Sequence, residues 1–401
     1  MQKFGGTSVA TPARIRRVAR RVAGTRESGY DVVVVVSAMG DTTDRLVSLA
    51  DRVTREPPER EMDTLLSAGE TITAPLLAMA LQAMGVRALS LAGWQAGIRT
   101  SRAHTRARIV DVVPTRVVEE LARGNVVVVA GFQGVNEAFD VTTLGRGGSD
   151  TTAVALAAEL KASLCEIYTD VPGILTADPR IVPNARCLPS ISYEEMLDLA
   201  SLGARVMHPR AVEIAELYNI PLHVRSSFSD EPGTLITRES KVEERNRVRA
   251  IAQEEDVAKL TVVGVPDRPG IAAAVFMPLA ESGINVDVIL QNVSRHGVTD
   301  LSFTVHQREA AAAEKMLKKI ARDIGADGVM SDTSIAKVSV VGTGMLGQPG
   351  IAAKMFKSLA DAKINIQMIS TSEIRITCII DRGSTKDAVR ALHRAYELEQ
   401  P

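Results

Sequence analysis

Two glycine-rich stretches carry the residues best suited to chemistry. Lys3-Phe4-Gly5-Gly6-Thr7-Ser8 stands near the start, and Thr143-Leu144-Gly145-Arg146-Gly147-Gly148-Ser149-Asp150-Thr151-Thr152 lies further along. Glycines let a backbone approach a phosphate closely, and a helix N-terminus presents unpaired N–H groups to an anion. In the first stretch Lys3 would add a point charge on the phosphates. The alternative is an ordinary turn between strand and helix with a surface lysine. In the second, Arg146 offers a planar fork to a carboxylate or phosphate, and Ser149 with the loop N–H groups can bind oxyanions. Asp150 either serves that site or caps the apolar helix that follows. Two anion-binding turns in one domain point to one site for a triphosphate and one for an anionic acceptor.

Other motifs carry less. Tyr168-Thr169-Asp170-Val171-Pro172-Gly173-Ile174, with Thr176-Ala177-Asp178-Pro179-Arg180, follows an apolar strand and is rich in turn formers, so by itself it reads as a loop. Gly342-Thr343-Gly344-Met345-Leu346-Gly347 matches the spacing of a dinucleotide fingerprint. Only 54 residues follow Gly347, too few for a dinucleotide domain, and the corresponding loop at Gly264 lacks the pattern. The GxxxxGK[ST] signature is missing, which excludes a P-loop ATPase. His208, placed before Pro209 at a helix start, reads as structural.

These loops need a scaffold. Asp31–Val36 and Asn125–Ala130 are short β-branched runs of the kind buried on both faces of a sheet. Helices are expected from Thr11-Pro12, where Thr caps and Pro suits the first turn, and from about Thr64 to Met84. Strands alternating with helices imply a mostly parallel sheet covered on both faces, with ligands at the carboxyl ends of the strands. Near Glu239–Asn246 the composition turns charged, as in a linker. Beyond it Asp267-Arg268-Pro269-Gly270-Ile271-Ala272-Ala273 recurs 80 residues later as Gly347-Gln348-Pro349-Gly350-Ile351-Ala352-Ala353. The same offset relates Ile284-Asn285-Val286 to Ile364-Asn365-Ile366, so a small domain is duplicated.

The length of 401 residues suggests two to four domains. The 47 basic residues are balanced by 48 acidic ones, which gives no reason to expect nucleic acid or a membrane surface as partner. The arginines around Arg14-Ile15-Arg16-Arg17 and Arg20-Arg21 recur at helical spacing and read as a solvated face. Cys165, Cys187 and Cys378 form no metal-ligand cluster, so no metal site is expected, and they fit a reducing cytosol. No uninterrupted apolar run of membrane-spanning length and no signal peptide is visible, so a cytoplasmic protein is expected.

Together these motifs resemble the aspartate kinases of the amino-acid kinase superfamily. KFGGTS, Ser37-Ala38-Met39-Gly40, Ser67-Ala68-Gly69-Glu70, Gly131-Phe132-Gln133-Gly134, GRGGSDTTA, TDVPGILTADPR and Met207-His208-Pro209-Arg210 occur in the family's order across nearly the whole chain. The resemblance implies an α/β amino-acid kinase fold over 1–240, with a mostly parallel central sheet covered by helices. Two ferredoxin-like α+β ACT domains would follow, at 248–330 and 331–401, and the strand near 248–252 could belong to the second. The implied reaction passes the γ-phosphoryl of ATP, with Mg²⁺, to the side-chain carboxylate of L-aspartate. Another kinase of the superfamily and a catalytically dead amino-acid-binding protein remain as alternatives; a fused second enzyme is not expected.

The resemblance also assigns residues. Lys3, Gly5, Gly6 and Ser37 match phosphate-binding positions, and Thr43, Glu70, Arg146, Gly147, Gly148 and Ser149 match aspartate-binding ones. Asp150, catalytic with Lys3, would organise the cations around the phosphates. Thr169, Asp170, Leu175, Asp178, Arg180 and Arg205 match the nucleotide pocket, Arg205 replacing the usual lysine. Asp267, Asn285, Val286, Asp287 and Gln291 in the first repeat, and Gly350, Ile351, Asn365 and Ile366 in the second, match effector positions for lysine and/or threonine. A homo-oligomer formed through the ACT domains is implied, and a separate regulatory subunit is known in some relatives. Relatives carry several apolar residues before QKFGG, whereas here Met1 directly precedes Gln2. The first strand is therefore expected to be nearly absent and the start truncated or misassigned.

Overall fold

The computed structural model describes residues 1–203, 206–238, 248–292, 297–343, 345 and 349–400. The charged run at 239–246, Arg205, and Gly344, Leu346 and Gly347 of the fingerprint-like loop lie outside these residues. The described chain divides into two compact units. The first comprises 1–174, 187–201 and 206–238; the second comprises 175–186, 202–203 and 248–400. The N-terminal 240 residues are thus not one uninterrupted block, because 175–186 packs with the C-terminal part of the chain.

The first unit runs β1 (Gln2–Phe4), α1 (Pro12–Glu27), β2 (Val33–Val36), α2 (Thr42–Val53), α3 (Glu59–Gln82), β3 (Ala88–Leu91), β4 (Ile98–Thr100), β5 (Ile109–Val112), α4 (Thr115–Ala122), β6 (Val126–Ala130), β7 (Gln133–Val135), β8 (Val141–Thr143) and α5 (Gly148–Glu159). It continues with β9 (Cys165–Thr169), β10 (Ser190–Ser192), α6 (Tyr193–Ser201), α7 (Pro209–Tyr218), β11 (Leu222–Ser226) and β12 (Thr234–Thr237). Eight strands form one sheet in the order β10-β12-β11-β9-β1-β2-β6-β3, parallel throughout except for the β11–β12 pair. β5-β4-β7-β8 form a smaller sheet. Period-two alternation sends Phe4, Val34, Val36, Val128 and Ala130 into one core with α1 and α3. Helix α5 packs against β1, β2 and β9. Thr11 caps α1 by accepting from Arg14 N at 3.3 Å, with Pro12 as the first helical residue.

The expectation for β1 is corrected. Three residues make a full central strand, because β2 and β9 hydrogen-bond to it on both sides. Glu166 N donates to Met1 O at 2.9 Å, extending the pairing, and Phe4 stacks on Tyr168 with ring centroids 4.7 Å apart. Neighbouring strands supply what a short strand cannot. Helix α3 has the length and mean hydropathy of a membrane span. Its buried face carries Asp63 and Glu70 along with Leu66, Leu77 and Leu81, which makes it a core helix of this unit.

The second unit repeats one motif. The first copy contains β14 (Val257–Pro266), α8 (Ile271–Glu281), β15 (Val286–Gln291), β16 (Val298–His306), α9 (Ala310–Ile324) and β17 (Gly328–Asp332). The second contains β18 (Ile335–Val341), α10 (Ile351–Asp361), β19 (Ile366–Thr371), β20 (Arg375–Asp381) and α11 (Thr385–Ala395). The antiparallel sheets are β15-β16-β14-β17 and β13-β18-β20-β19, where β13 is Ala250–Glu254. The first copy is therefore nested between β13 and the rest of the second. Ala177, Ile181 and Val182 join the second copy's core beside Val338, Val340 and Leu392, and His393 Nε2 lies 2.9 Å from Thr176 Oγ1.

Candidate active site

Parallel pairing brings the carboxyl ends of β1, β2, β6, β9 and β11 to one edge of the large sheet. Gly5, Ser37, Gly131, Asp170 and Ser227 follow these strands directly. Gly5 N donates to Tyr168 O at 3.2 Å, Ser37 N to Phe4 O at 3.1 Å and Gly40 N to Gly6 O at 3.0 Å, so the turns after β1 and β2 are tied together. Alternation along β1 buries Gln2 and Phe4 and turns Lys3 toward α5. Its ammonium lies 2.6 Å from Asp150 Oδ1, both side chains nearly buried. Asp150 is the third residue of α5, whose cap position is held by Gly147, so it does not cap the helix. A cation and the positive dipole end of a helix therefore stand together, which is the arrangement that receives a phosphate.

Glu70 approaches from α3. It is 3 % exposed and accepts from Ala38 N at 3.1 Å, while its Oε2 has no hydrogen-bond partner. Burial pushes its carboxyl up to about 7. Gly69 makes this possible, since a Cβ there would lie 2.7 Å from Ala38 Cβ. Thr43 sits half-buried in the first turn of α2. A buried carboxylate with a spare oxygen is a receptor for a cation such as an ammonium group.

The loop 144–147 is braced from behind. Gly147 has φ 68°, and a Cβ on it would lie 2.3–2.6 Å from atoms of His208. His208 is the N-cap of α7 and accepts from Arg210 N at 3.3 Å through Nδ1; burial holds its imidazole below the usual value. Arg210 donates to Ala107 O at 3.3 Å and Leu144 O at 3.4 Å. Arg146 itself is exposed, with no ion pair among the described residues, whereas Gly148 and Ser149 are buried at the helix start. Ser149 Oγ lies 2.9 Å from the position of a Cβ on Gly131, at the end of β6.

Lys3, Gly5, Gly6, Ser37, Thr43, Glu70, the 146–150 stretch, Thr169 and Asp170 thus all belong to the first unit. Leu175, Asp178 and Arg180 belong to the second. There Arg180 forks onto Asp178 at 2.6 Å and, as the leading cause, holds its carboxyl below the ordinary value; Gln253 Nε2 donates to Asp178 at 3.2 Å. Of the effector positions, Asp267, Asn285 and Gln291 are exposed and Val286 half-buried in the first copy, as Gly350 and Asn365 are exposed and Ile351 and Ile366 half-buried in the second. Asp287 is engaged: Lys337 Nζ lies 2.5 Å away and also bonds Glu254 at 3.0 Å. Burial pushes the Asp287 carboxyl up, but Lys337 outweighs it and the net shift is downward.

Sequence reasoning missed Asp63, His104 and Arg210 as supports of the site. Asp63 stands seven residues before Glu70, two helical turns on one face, and that spacing was the available signal.

The chain matches the amino acid kinase family over residues 2–226 and the ACT domain over 259–325 and 338–396. It is 52% identical to an aspartokinase of Pseudomonas aeruginosa, covering 100% of this chain and 98% of that one. It is 51% identical to an aspartokinase of Corynebacterium glutamicum, covering 99% and 96%. Among solved structures, E. coli aspartokinase III in complex with aspartate and ADP aligns over 98% of each chain at 26% identity and TM-score 0.84. The same enzyme in complex with lysine and aspartate aligns over 98% of each at 26% identity and TM-score 0.74. Full-length identity, family match and site geometry agree: the chain belongs to the aspartate kinases of the amino acid kinase family, ATP-dependent enzymes with C-terminal ACT domains.

Proposed function

We propose that the chain transfers the γ-phosphoryl group of ATP to the side-chain carboxylate of L-aspartate, giving 4-phospho-L-aspartate, and that lysine and/or threonine inhibit it through the ACT repeats. The observation that carries the reading is the convergence of Lys3, the start of α5 and the buried Glu70 at one sheet edge. An aspartate side chain, with a pKa of about 3.9, is already ionised at neutral pH, so the acceptor needs no general base. Catalysis then rests on in-line positioning and on neutralising charge at the transferred group. Lys3 and the dipole at the start of α5 hold the phosphates, Arg146 grips a carboxylate, and Glu70 receives the substrate ammonium.

Among the described residues no cluster of three or more His, Cys, Asp or Glu is placed to cage a metal. In this reading Mg²⁺ arrives on the nucleotide, since such an ion keeps waters and takes one or two carboxylates beside the phosphates. Asp150 and Asp170 are carboxylates at this edge that could take part, and the ion would supply charge neutralisation. The effector part of the reading is supported by the duplicated ACT fold and by the lysine complex of the E. coli relative. Assembly into a homo-oligomer through the repeats is part of the same reading; Ile289 and Ile369 stand exposed at equivalent places on edge strands β15 and β19.

The test is formation of aspartyl hydroxamate from ATP, Mg²⁺, aspartate and hydroxylamine, with lysine and threonine added singly and together. Hydroxamate that forms and falls with effector is the expected result. None with aspartate would overturn the substrate assignment, and no response to either amino acid would overturn the effector assignment.

A further inference from the structure

Asp63 is a carboxylate with no exposed surface, on α3, outside the set of residues that meet substrate in the reading above. Burying a carboxylate is costly unless every lone pair is used, and for stability alone an apolar residue of similar volume serves as well or better. Here the lone pairs are used. Thr105 N donates to both oxygens at 3.0 Å, His104 Nδ1 lies 2.8 Å from Oδ2, and Thr143 Oγ1 donates to Oδ1. Because a carboxylate only accepts, the His104 proton sits on Nδ1.

What these bonds hold is specific. Thr105 has φ 62°, a left-handed conformation that a β-branched residue adopts only under constraint. Its carbonyl oxygen lies 3.3 Å from where a Cβ on Gly145 would stand. Ala107 N donates to Thr143 O at 2.9 Å, and Thr143 is the last residue of β8 before Leu144-Gly145-Arg146. One carboxylate therefore clamps the two segments that flank the Arg146 loop. It does so from the helix that also carries Glu70 seven residues on, on the same face.

We infer that Asp63 is a positioning residue for aspartate: through Thr105 and Thr143 it sets where the Arg146 fork stands relative to Glu70. The inference rests on the proposed role of Arg146 in gripping a substrate carboxylate. It predicts an effect on the amino-acid site and little on the nucleotide site, because none of its bonds reaches the turns after β1 or β2.

The experiment compares D63N, T143V and T143S in the full chain. Each is read by separate KM values for aspartate and ATP, by thermal unfolding and by amide exchange over residues 143–148. In D63N and T143V the aspartate KM is expected to rise about 10–100-fold, the range for loss of a charged hydrogen bond. The ATP KM should stay within about twofold, with exchange in 143–148 accelerated. T143S, which keeps the hydroxyl, should behave as the wild type. Should D63N fail to fold, T143V decides. Parallel rises in both KM values, or unchanged aspartate KM and exchange, would overturn the inference. If the wild type does not turn over aspartate, the proposed function fails instead. Exchange then decides alone: acceleration in T143V but not T143S keeps the clamp, and no change overturns it.

Discussion

Around Lys3 the backbone emerges from a strand hydrogen-bonded on both sides, and the loop is fixed by its immediate sheet neighbours: Tyr168 O takes Gly5 N, and Gly6 O takes Gly40 N. Around Arg146 the backbone leaves the small sheet through glycines at φ 75° and 68°, and its position depends on side chains far away in sequence. His208 packs on Gly147, Arg210 holds Leu144 O, and Asp63 holds Thr105 and Thr143. Two loops of similar composition thus solve different problems. The first offers a near-buried ammonium at one place, which suits a phosphate whose position must not vary. The second offers an exposed guanidinium on a braced arm, which suits an acceptor that must be admitted and then aligned.

The largest expected effect separates the two loops by the constant each controls. Lys3→Met removes the point charge beside Asp150 and should lower kcat about a thousandfold, as for loss of one preorganised group that meets developing charge. Arg146→Lys keeps charge but loses the planar fork. It should raise the aspartate KM about 10–100-fold with a smaller effect on kcat. Steady-state kinetics with each substrate varied checks both. If both variants moved the same constant by the same factor, the division of labour between the loops would be wrong.

A second pair tests the physical basis of the contrast. A Cβ on Gly5 would make only ordinary contact, 3.6 Å from Lys3 Nζ and 3.7 Å from Tyr168 O, at φ −70°. Gly5→Ala should therefore leave stability within about 1 kcal/mol, while the new methyl obstructs the approach of a phosphate and lowers activity. Gly147→Ala combines a left-handed φ with a clash against the His208 side chain from its Cβ outward, and should destabilise by about 3–4 kcal/mol. Adding His208→Gly, which removes the Cβ as well as the ring, should recover the clash but not the backbone term. Denaturant melts of the three variants measure this.

These contrasts also mark what was readable in the sequence. The buried strands, the Thr11-Pro12 helix start and the His208-Pro209 helix start are local signals, fixed by β-branching, capping and the rigid proline ring, and they stand where expected. The 80-residue repeat was legible because α8 and α10, and β15 and β19, keep the same spacing. What was not legible depends on contacts between distant segments. Nothing local in Met1-Gln2-Lys3-Phe4 says that β2 and β9 will pair with three residues on both sides. The packing of Ala177, Ile181 and Val182 with the second repeat follows from complementarity to Leu392 and Val340, and no composition change announces it. Nothing near Asp63 in sequence marks its role, which comes from the segments at 104–105 and 143 that close on it.

The last test concerns the residue between the loops. Glu70 is carried by the same helix as Asp63 but bonds Ala38, beside the first loop, so it belongs to both halves of the comparison. In the unfolded chain its carboxyl ionises above about 4.5, whereas burial in the fold keeps the proton until about pH 7. The fold therefore binds the proton that the unfolded chain has lost. Stability from this group is fully present below about pH 4.5 and is lost as pH rises through about 7, in all about 3 kcal/mol. Glu70→Gln should remove this slope, so that the ligand-free variant gains on the wild type as pH rises from 5 to 8, even as its aspartate KM increases. Saturating aspartate should flatten the wild-type slope as well, since an ammonium at Oε2 favours the ionised form. Thermal melts of both proteins across this range, with and without aspartate, give the answer. A slope unaffected by aspartate would detach Glu70 from the acceptor and leave it a structural partner of the first loop alone.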